Sequence, residues 1–240
     1  MTLQQRLERE RQHGKVIIAT EENNWGWKTP AGQIRWKRRF NYLAQALAQA
    51  EGEVLEVGAG SGTFTVGLAD VYSHLTAIDI SEDLVNIARS RAPSVHFAAM
   101  DAHNLEFPDN SFDAIVGCSV LHHLDWNLAL QGFYTKLKPG GVIRFSEPNL
   151  LNPQIFIQKT VPPIKKRLGD SPDEYAFTAW QIRRSLKRAG FSRITVTPYE
   201  FLHPSVPEKW IDTVIKLETL ISKTFLKQIG GSLLIEAVKL

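Results

Sequence analysis

The chain has few of the features that mark a secreted, membrane-spanning or nucleic-acid-binding protein. Its 240 residues include a single cysteine, Cys118, so no internal disulfide can form and we expect a reducing compartment. No apolar run reaches the roughly 18–20 residues of a spanning helix, and the charged first residues contain no signal-peptide core. The net charge of +3 is too small to indicate nucleic acid by itself. These absences predict a soluble, cytoplasmic protein.

The composition is ordinary for a globular chain. Hydrophobic residues make up 43% and charged residues 22%, which excludes a disordered or fibrous protein. A chain of this length forms one large domain, or one domain with appendages, and buries roughly 70–75% of its unfolded surface. We find no internal repeat and no low-complexity tract. The functional signal therefore has to come from motifs.

A glycine-rich turn at residues 58–62 follows a short run of β-branched residues at 54–57. An apolar run that ends abruptly in glycines is typical of a buried parallel strand that turns into a helix. Three alternating glycines let the backbone adopt positive φ and approach a ligand closely. Amides at the start of the next helix favour electron-rich ligand groups. The turn is a candidate ligand site.

The spacing of this turn favours one ligand class over another. The dinucleotide fingerprint has its third glycine one residue later, at the position that Thr63 occupies here. Glu56 precedes the turn, and its carboxylate would repel a pyrophosphate. The same carboxylate suits a ligand that carries an ammonium and a sulfonium. A nicotinamide enzyme is therefore the weakest interpretation.

Strand and helix patterns alternate along most of the chain. Strands are predicted at 54–57, 74–79, 94–100, 112–118, 142–146, 194–199 and 232–239. Helices are predicted at 33–50, 64–70, 81–91, 125–137 and from 178 to 189, with Ser81 as an N-cap. Regular alternation of this kind indicates right-handed βαβ units in a doubly wound parallel sheet. The ligand crevice is then expected at the carboxyl ends of the strands.

Acidic side chains end the second and third predicted strands. Asp79 lies 21 positions after Gly58, where its carboxylate can accept hydrogen bonds from two ribose hydroxyls. Asp101 is expected to accept from an adenine amine, and the Ala102 amide to donate to a ring nitrogen. Ile80 and Met100 would enclose the adenine ring. A capping or turn role is the alternative for each aspartate.

The motif order over residues 54–149 resembles the class I S-adenosylmethionine-dependent methyltransferases, whose first motif is acidic-x-Gly-x-Gly-x-Gly. Segments 112–124 and 137–141 are similar to the small-molecule branch, which includes the ubiquinone and menaquinone C-methyltransferases. The resemblance implies a Rossmann-like, mostly parallel seven-stranded sheet with an antiparallel last strand. It also implies S-adenosylmethionine as the cofactor and S-adenosylhomocysteine as the product.

The predicted site divides into a cofactor set and a catalytic set. The cofactor set is Glu56, Gly58, Ala59, Gly60, Gly62, Thr63, Asp79, Ile80, Met100, Asp101, Ala102, Cys118, Ser119, Trp25 and Arg35. The catalytic candidates are His122, His123 and Glu147, as general bases if the acceptor is a hydroxyl or an acidic carbon. No metal is expected. The alternatives are helix-capping histidines and a structural glutamate.

Two residues or segments of the site carry their own alternatives. Cys118 follows Gly117 rather than a proline, so we expect a buried residue whose carbonyl meets the methionine ammonium, not a nucleophile. Segment 25–39 interleaves Trp25, Trp27 and Arg35 with further cations. It could be a nucleic-acid stacking surface, but a lid helix with its basic face in solvent is preferred.

The predicted organisation is an N-terminal arm and lid helix (1–50), a cofactor-binding core (51–149), an insertion or lid (150–177) and a C-terminal completion (178–240) with a substrate-side helix at 206–227. Residues 1–12 are expected to form a polar helix or arm, and 16–19 a short strand. The acceptor is expected to be small, with hydrophobic or lipid-like molecules among the options. A non-catalytic cofactor-binding protein and an RNA methyltransferase remain as alternative functions. Peripheral membrane contact and either a monomer or a homodimer also stay open.

Overall fold

The computed structural model describes residues 3–19, 26–48, 51–168, 171 and 174–240. Seven strands form one sheet in the order β3-β2-β1-β4-β5-β7-β6. They are β1 (Glu53–Val57), β2 (His74–Asp79), β3 (His96–Ala99), β4 (Phe112–Cys118), β5 (Leu137–Pro148), β6 (Ser192–Tyr199) and β7 (Ser232–Val238). Strand β7 runs antiparallel to both neighbours, β5 and β6, and the other pairs are parallel. The predicted fold class is confirmed.

Helices cover both faces of this sheet. They are α1 (Leu3–Ala19), α2 (Pro30–Ala44), α3 (Thr65–Ala69), α4 (Glu82–Arg91), α5 (Trp126–Lys136), α6 (Pro153–Thr160), α7 (Pro162–Arg167), α8 (Ala179–Arg188) and α9 (Ile211–Ile221). Side-chain caps begin several of them, because an oxygen there satisfies the first backbone amides. Ser81 caps α4 as predicted, Asp125 caps α5, and Thr178 forms a capping box with Gln181.

The core lies on the two faces of the central strands, as the period of two requires. Val54 and Val116 face a cluster that packs under α2 and α3. Leu55 and Ile115 face the larger cluster, which includes Phe133 of α5. Because both faces of β1 and β4 are buried, the positions where these strands end are held rigidly.

Several predicted elements differ from the structure. Residues 16–19 continue α1 and do not form a strand; α1 packs against α4, with Gly14 beside Ser81. Helix α2 ends at Ala44, earlier than predicted. The helix predicted at 206–227 is the shorter α9, because the Thr224 hydroxyl caps a new 3₁₀ turn. Within the described ranges, no helix combines the length and apolar character needed to cross a membrane.

Candidate active site

A cavity of about 460 Å³ opens at the carboxyl ends of β1, β2 and β4. Its size lies within the range of roughly 300–1,000 Å³ that is usual for small-molecule sites. The glycine turn, the ends of the strands, α1, α2 and α6 supply its walls. The crevice therefore lies where the alternating pattern predicts it.

The glycine turn forms the floor of the cavity. Gly58 and Gly60 line it with φ of 72° and 55°, in the left-handed region that favours glycine. A Cβ on Gly60 would meet no atom within 4 Å, so this backbone faces open space. Gly62 has a different role: its φ is 86°, and a Cβ there would lie 3.2 Å from Ala88 on α4. Gly62 permits close helix packing rather than ligand contact.

Glu56 lies beneath this floor. It is buried and does not line the cavity, and its Oε2 atom has no hydrogen-bond partner. Burial raises the pKa of this carboxyl to about 7. A buried carboxylate oxygen without a donor is costly, and a cationic ligand group above the turn would lower that cost.

Asp79 and Asp101 both line the cavity. The Asp79 carboxylate accepts hydrogen bonds from the Gly60 and Ser81 amides, each at 2.9 Å. Burial raises the pKa of Asp79, although these two amides oppose the rise. Ile80, Met100 and Ala102 line the same cavity, and their contact with an adenine ring stays a prediction.

His103 is a site residue that the sequence reasoning missed. Its Nδ1 atom lies 2.6 Å from Asp101 Oδ1, and its Nε2 atom accepts from the Asp125 amide at 2.9 Å. The backbone donor at Nε2 places the proton on Nδ1, so His103 donates to Asp101. Burial opposes ionisation, but the hydrogen bonds that Asp101 accepts from the side chain and the amide of His103 lower the pKa of Asp101 overall. The Asp-x-His spacing was a usable signal, because an aspartate can bond two residues ahead.

The α2 wall contains a buried ion-pair network. Arg39 is 3% exposed and donates two hydrogen bonds to Glu200, at 2.5 and 2.9 Å, and a third to Ser232. Arg35 Nε also donates to Glu200, and its guanidinium lies 5.8 Å from the centre of the Trp27 ring. Arg35 and Trp27 line the cavity. Trp25 lies outside the described residues.

The predicted solvent-facing basic surface on α2 is therefore wrong. Arg35 and Arg39 point into the fold, and Arg38 pairs with Glu218 of α9 at 3.0 Å. The reason is that Glu200, directly after β6, is buried and its carboxylate needs cationic partners. These arginines are committed to carboxylates and are not arranged to bind a phosphate backbone.

His122 and Glu147 form a buried dyad at the ends of β4 and β5. Glu147 is 0% exposed. Its Oε1 atom accepts hydrogen bonds from the Val120 and Leu121 amides, at 2.8 and 2.9 Å. Its Oε2 atom lies 2.8 Å from His122 Nδ1. Burial raises the pKa of Glu147 to about 7, and burial and the nearby His123 hold the pKa of His122 well below its usual value. His122 lines the cavity, whereas Glu147 lies behind it.

His123 belongs to a charged cluster that holds α1 over the cavity. Its Nδ1 atom lies 2.9 Å from Glu10 of α1 and 3.9 Å from Glu174. Burial opposes protonation, but the Glu10 hydrogen bond and the Glu174 charge raise the pKa of His123 overall. Lys159 of α6 pairs with the same Glu174. The cluster joins the insertion, the β4 end and α1.

His122, His123 and Glu174 each offer a metal-ligand atom, and these atoms lie within 4.8 Å of one another. The ammonium of Lys159 already neutralises Glu174, and a divalent cation would have to displace it. The arrangement therefore fits a closed ion-pair cluster better than a metal centre.

Cys118 and Ser119 complete the wall at the end of β4. Burial raises the pKa of Cys118 to about 12, so its thiol stays protonated at neutral pH and is a poor nucleophile. Ser119 has a φ of 55°, and its amide donates to the Ser146 carbonyl at 2.8 Å. This left-handed turn directs the backbone into the cavity.

The donor set of the cavity fits an adenosine that carries an amino-acid tail. Asp79 and Asp101 line the cavity with carboxylates, and Gly60 leaves backbone open toward it. The unpartnered Glu56 oxygen lies beneath the turn, where a positive group would be favoured. With the strand order, these features define a Rossmann-like site of the class I type.

The comparisons with known proteins identify the family. A family model described as a methyltransferase domain matches residues 55–145. A demethylmenaquinone methyltransferase of Paenarthrobacter aurescens is 32% identical over 162 residues, which are 63% of this chain and 63% of that protein. An O-methyltransferase of Penicillium expansum is 31% identical over 195 residues, which are 75% of this chain and 68% of that protein.

A solved structure from Thermotoga maritima has the same fold. It is described as an S-adenosylmethionine-dependent methyltransferase, possibly a histamine N-methyltransferase, and aligns with a TM-score of 0.73 at 20% identity. The alignment covers 96% of this chain and 100% of that one. The chain belongs to the class I S-adenosylmethionine-dependent methyltransferases, and S-adenosylmethionine is its cofactor. It spans 63% of the length of the Paenarthrobacter relative.

Proposed function

We propose that this protein transfers a methyl group from S-adenosylmethionine to a small, apolar acceptor whose reacting group carries an acidic proton. His122 removes that proton, Glu147 orients His122, and His123 holds α1 over the cavity. When bound, S-adenosylmethionine supplies a methyl group that its sulfonium makes electrophilic. The residues of the chain have to bind it, align the acceptor and exclude water.

The His122–Glu147 dyad is the observation that carries this proposal. Because Nδ1 bonds to Glu147, the proton resides there; the Nε2 lone pair, 3.9 Å from Glu174 Oε2, is then the acceptor that a ligand can reach. The low pKa keeps His122 neutral at physiological pH. A weak base of this kind suits an acceptor that is itself acidic, such as a phenol or a hydroquinone.

The acceptor end of the cavity supports an apolar ring or chain. Its lining includes Ile155, Leu168, Phe201 and Leu202 from the insertion and the segment after β6. The names of two relatives, a demethylmenaquinone methyltransferase and an O-methyltransferase, are consistent with a hydroquinone or phenolic acceptor. The inward-facing arginines of α2 give no support to an RNA substrate.

The test measures methyl transfer from labelled S-adenosylmethionine to a naphthohydroquinone and to its di-O-methyl ether, which lacks both phenolic protons. His122→Asn keeps a donor toward Glu147 but removes the Nε2 acceptor. We expect this variant to lose roughly 10²–10⁴ in kcat and to bind S-adenosylhomocysteine normally. Equal rates on both acceptors, or a fully active His122→Asn, would refute the role of His122.

Cofactor binding is tested separately by calorimetric titration with S-adenosylhomocysteine. Asp79→Ala removes the carboxylate predicted to accept two ribose hydroxyls, and each charged hydrogen bond is worth about 1.5–3 kcal/mol. We therefore expect Kd to rise on the order of 10²-fold or more. Unchanged affinity would exclude Asp79 from the ribose site. Tight binding without transfer to any acceptor would favour the non-catalytic alternative.

A further inference from the structure

Large apolar side chains are exposed on two segments beside the cavity. The first comprises residues 151–168, in which α6 has no buried residue, and the second comprises residues 217–229, the end of α9 and the following 3₁₀ turn. Phe225 is 82% exposed and Phe156 is 52% exposed. The others are Leu151, Ile157, Val161, Ile164, Leu168, Leu217, Leu220, Leu226 and Ile229. Apolar exposure of this extent marks an interaction site.

The two segments form one surface, which we call the insertion face. Side-chain amides join them at the start of α6: Asn152 donates to the Ile229 carbonyl at 2.8 Å, and Asn149 donates to the Gln228 and Gly230 carbonyls. Helix α6 also packs against α7. The exposed apolar residues of the insertion and of the 3₁₀ turn therefore belong to neighbouring, mutually anchored elements.

The exposed charge of the insertion face is positive. Residues 151–168 contain no aspartate or glutamate, and the one carboxylate of residues 217–229, that of Glu218, pairs with Arg38 of α2. The two segments contain Lys159, Lys165, Lys166, Arg167, Lys223 and Lys227. Lys159 and Lys165 turn inward toward Glu174. Arg167, Lys223 and Lys227 are exposed. Apolar side chains bordered by cations are the combination that binds anionic bilayer surfaces.

The same insertion lines the cavity from its other side. Ile155, Gln158 and Lys159 face the cavity at helical spacing, whereas Phe156 and Ile157 point away from it. A helix with one side on a cavity and an apolar outer side separates that cavity from an apolar phase. A globular protein surrounded only by water has no reason to keep this outer side apolar.

We propose that the insertion face docks on the surface of an anionic lipid bilayer and places the mouth of the cavity against it. The apolar side chains of α6, α7 and the 3₁₀ turn enter the headgroup region, and the exposed cations contact lipid phosphates. A lipid-soluble acceptor then reaches the cavity past α6. Docking itself requires neither the cofactor nor methyl transfer, so it is tested independently of the proposed reaction.

The test is co-sedimentation of the full chain with phosphatidylcholine vesicles, with and without phosphatidylglycerol, at low and high salt. We expect binding to the anionic vesicles that weakens with salt. Phe156→Ser combined with Phe225→Ser should lower the partition coefficient roughly tenfold or more. Lys223→Gln combined with Lys227→Gln should lower binding to anionic vesicles and leave the weak binding to neutral ones unchanged.

Two control variants lie on α8, outside the insertion face. Trp180→Ser removes an aromatic side chain that is 66% exposed, and Lys187→Gln with Arg188→Gln removes two exposed cations. Both should bind vesicles as the parent does. Equal effects of the control and test variants, or no preference for anionic vesicles, would overturn the proposal. A dimer in analytical ultracentrifugation that the Phe156→Ser, Phe225→Ser variant dissociates would assign the face to self-association instead.

Discussion

Replacing Glu147 by glutamine tests the dyad without changing its volume. The new amide oxygen can still accept from the Val120 and Leu121 amides, which now bond to Glu147 at 2.8 and 2.9 Å. Its amino group then faces His122 Nδ1, where a carboxylate oxygen stood. Two donors cannot bond to each other, so His122 moves its proton to Nε2 and accepts at Nδ1. The cavity side of the imidazole loses its lone pair.

The expected loss in kcat follows from that tautomer change. A histidine held in the wrong tautomer by the loss of its carboxylate costs on the order of 10⁴ in kcat when it is the sole base. Base catalysis alone contributes about 10²–10⁴, so we expect a loss in that interval for Glu147→Gln. Affinity for S-adenosylhomocysteine should not change, because Glu147 does not line the cavity.

The free energy of unfolding distinguishes Glu147→Gln from the truncation Glu147→Ala. Glu147→Gln keeps acceptors for the backbone, whereas Glu147→Ala leaves three buried donors unpaired at roughly 1–3 kcal/mol each. That sum approaches the whole stability of a domain. Glu147→Ala should therefore unfold at much lower urea concentration, and Glu147→Gln should not.

The assay compares kcat, S-adenosylhomocysteine affinity and urea denaturation for both variants. Glu236→Gln is the matched control, because it makes the same change on β7, where Glu236 pairs with Arg144 away from the cavity. The control should keep full kcat. An unchanged kcat in Glu147→Gln, or a kcat loss matched by an equal loss of cofactor affinity, would refute the reasoning.

Three further predictions concern buried groups around the cavity. Glu56→Gln should stabilise the cofactor-free protein above pH 7 by on the order of 3 kcal/mol in urea denaturation, because folding raises the pKa of Glu56 from 4.5 to about 7. The gain should vanish below pH 4.5, where Glu56 holds its proton in both the folded and the unfolded chain. Arg39→Ala leaves Glu200 poorly paired and should cost about 3–5 kcal/mol, against about 0–1 kcal/mol for Arg38→Ala as control. Gly62→Ala should lower thermal stability by roughly 1–2 kcal/mol, because φ is 86° there; an unchanged melting temperature would contradict that strain.

Local patterns predicted most of the scaffold. Strands 74–79 and 112–118 have the predicted bounds, and Ser81 caps α4 as predicted. These features depend on residues a few positions apart, such as a β-branched run or a hydroxyl three residues before an amide. The alternation of strands and helices predicted right-handed βαβ units, and the resemblance implied the antiparallel last strand. The glycine spacing and the terminal acids then located the cofactor crevice.

The partners of the buried charges could not be predicted in this way. Arg39 meets Glu200 across 161 positions, and His123 meets Glu10 across 113. Neither pairing leaves a local signal, because any exposed carboxylate on a neighbouring element would satisfy the same arginine or histidine. For this reason α2 was predicted to present a basic face to solvent, and α1 was not predicted to cover the cavity.

The sequence by itself determined the sheet, its helix caps and the position of the cofactor site, since each depends on short-range geometry and on the alternation of apolar residues. Only the tertiary structure decided which charges are buried, which of them pair and which proton each histidine carries. A pKa depends on the dielectric surroundings and on charges brought from distant parts of the chain. Glu147 acquires its place behind His122, and Glu56 its raised pKa, only when the strands on either side of them are in the sheet.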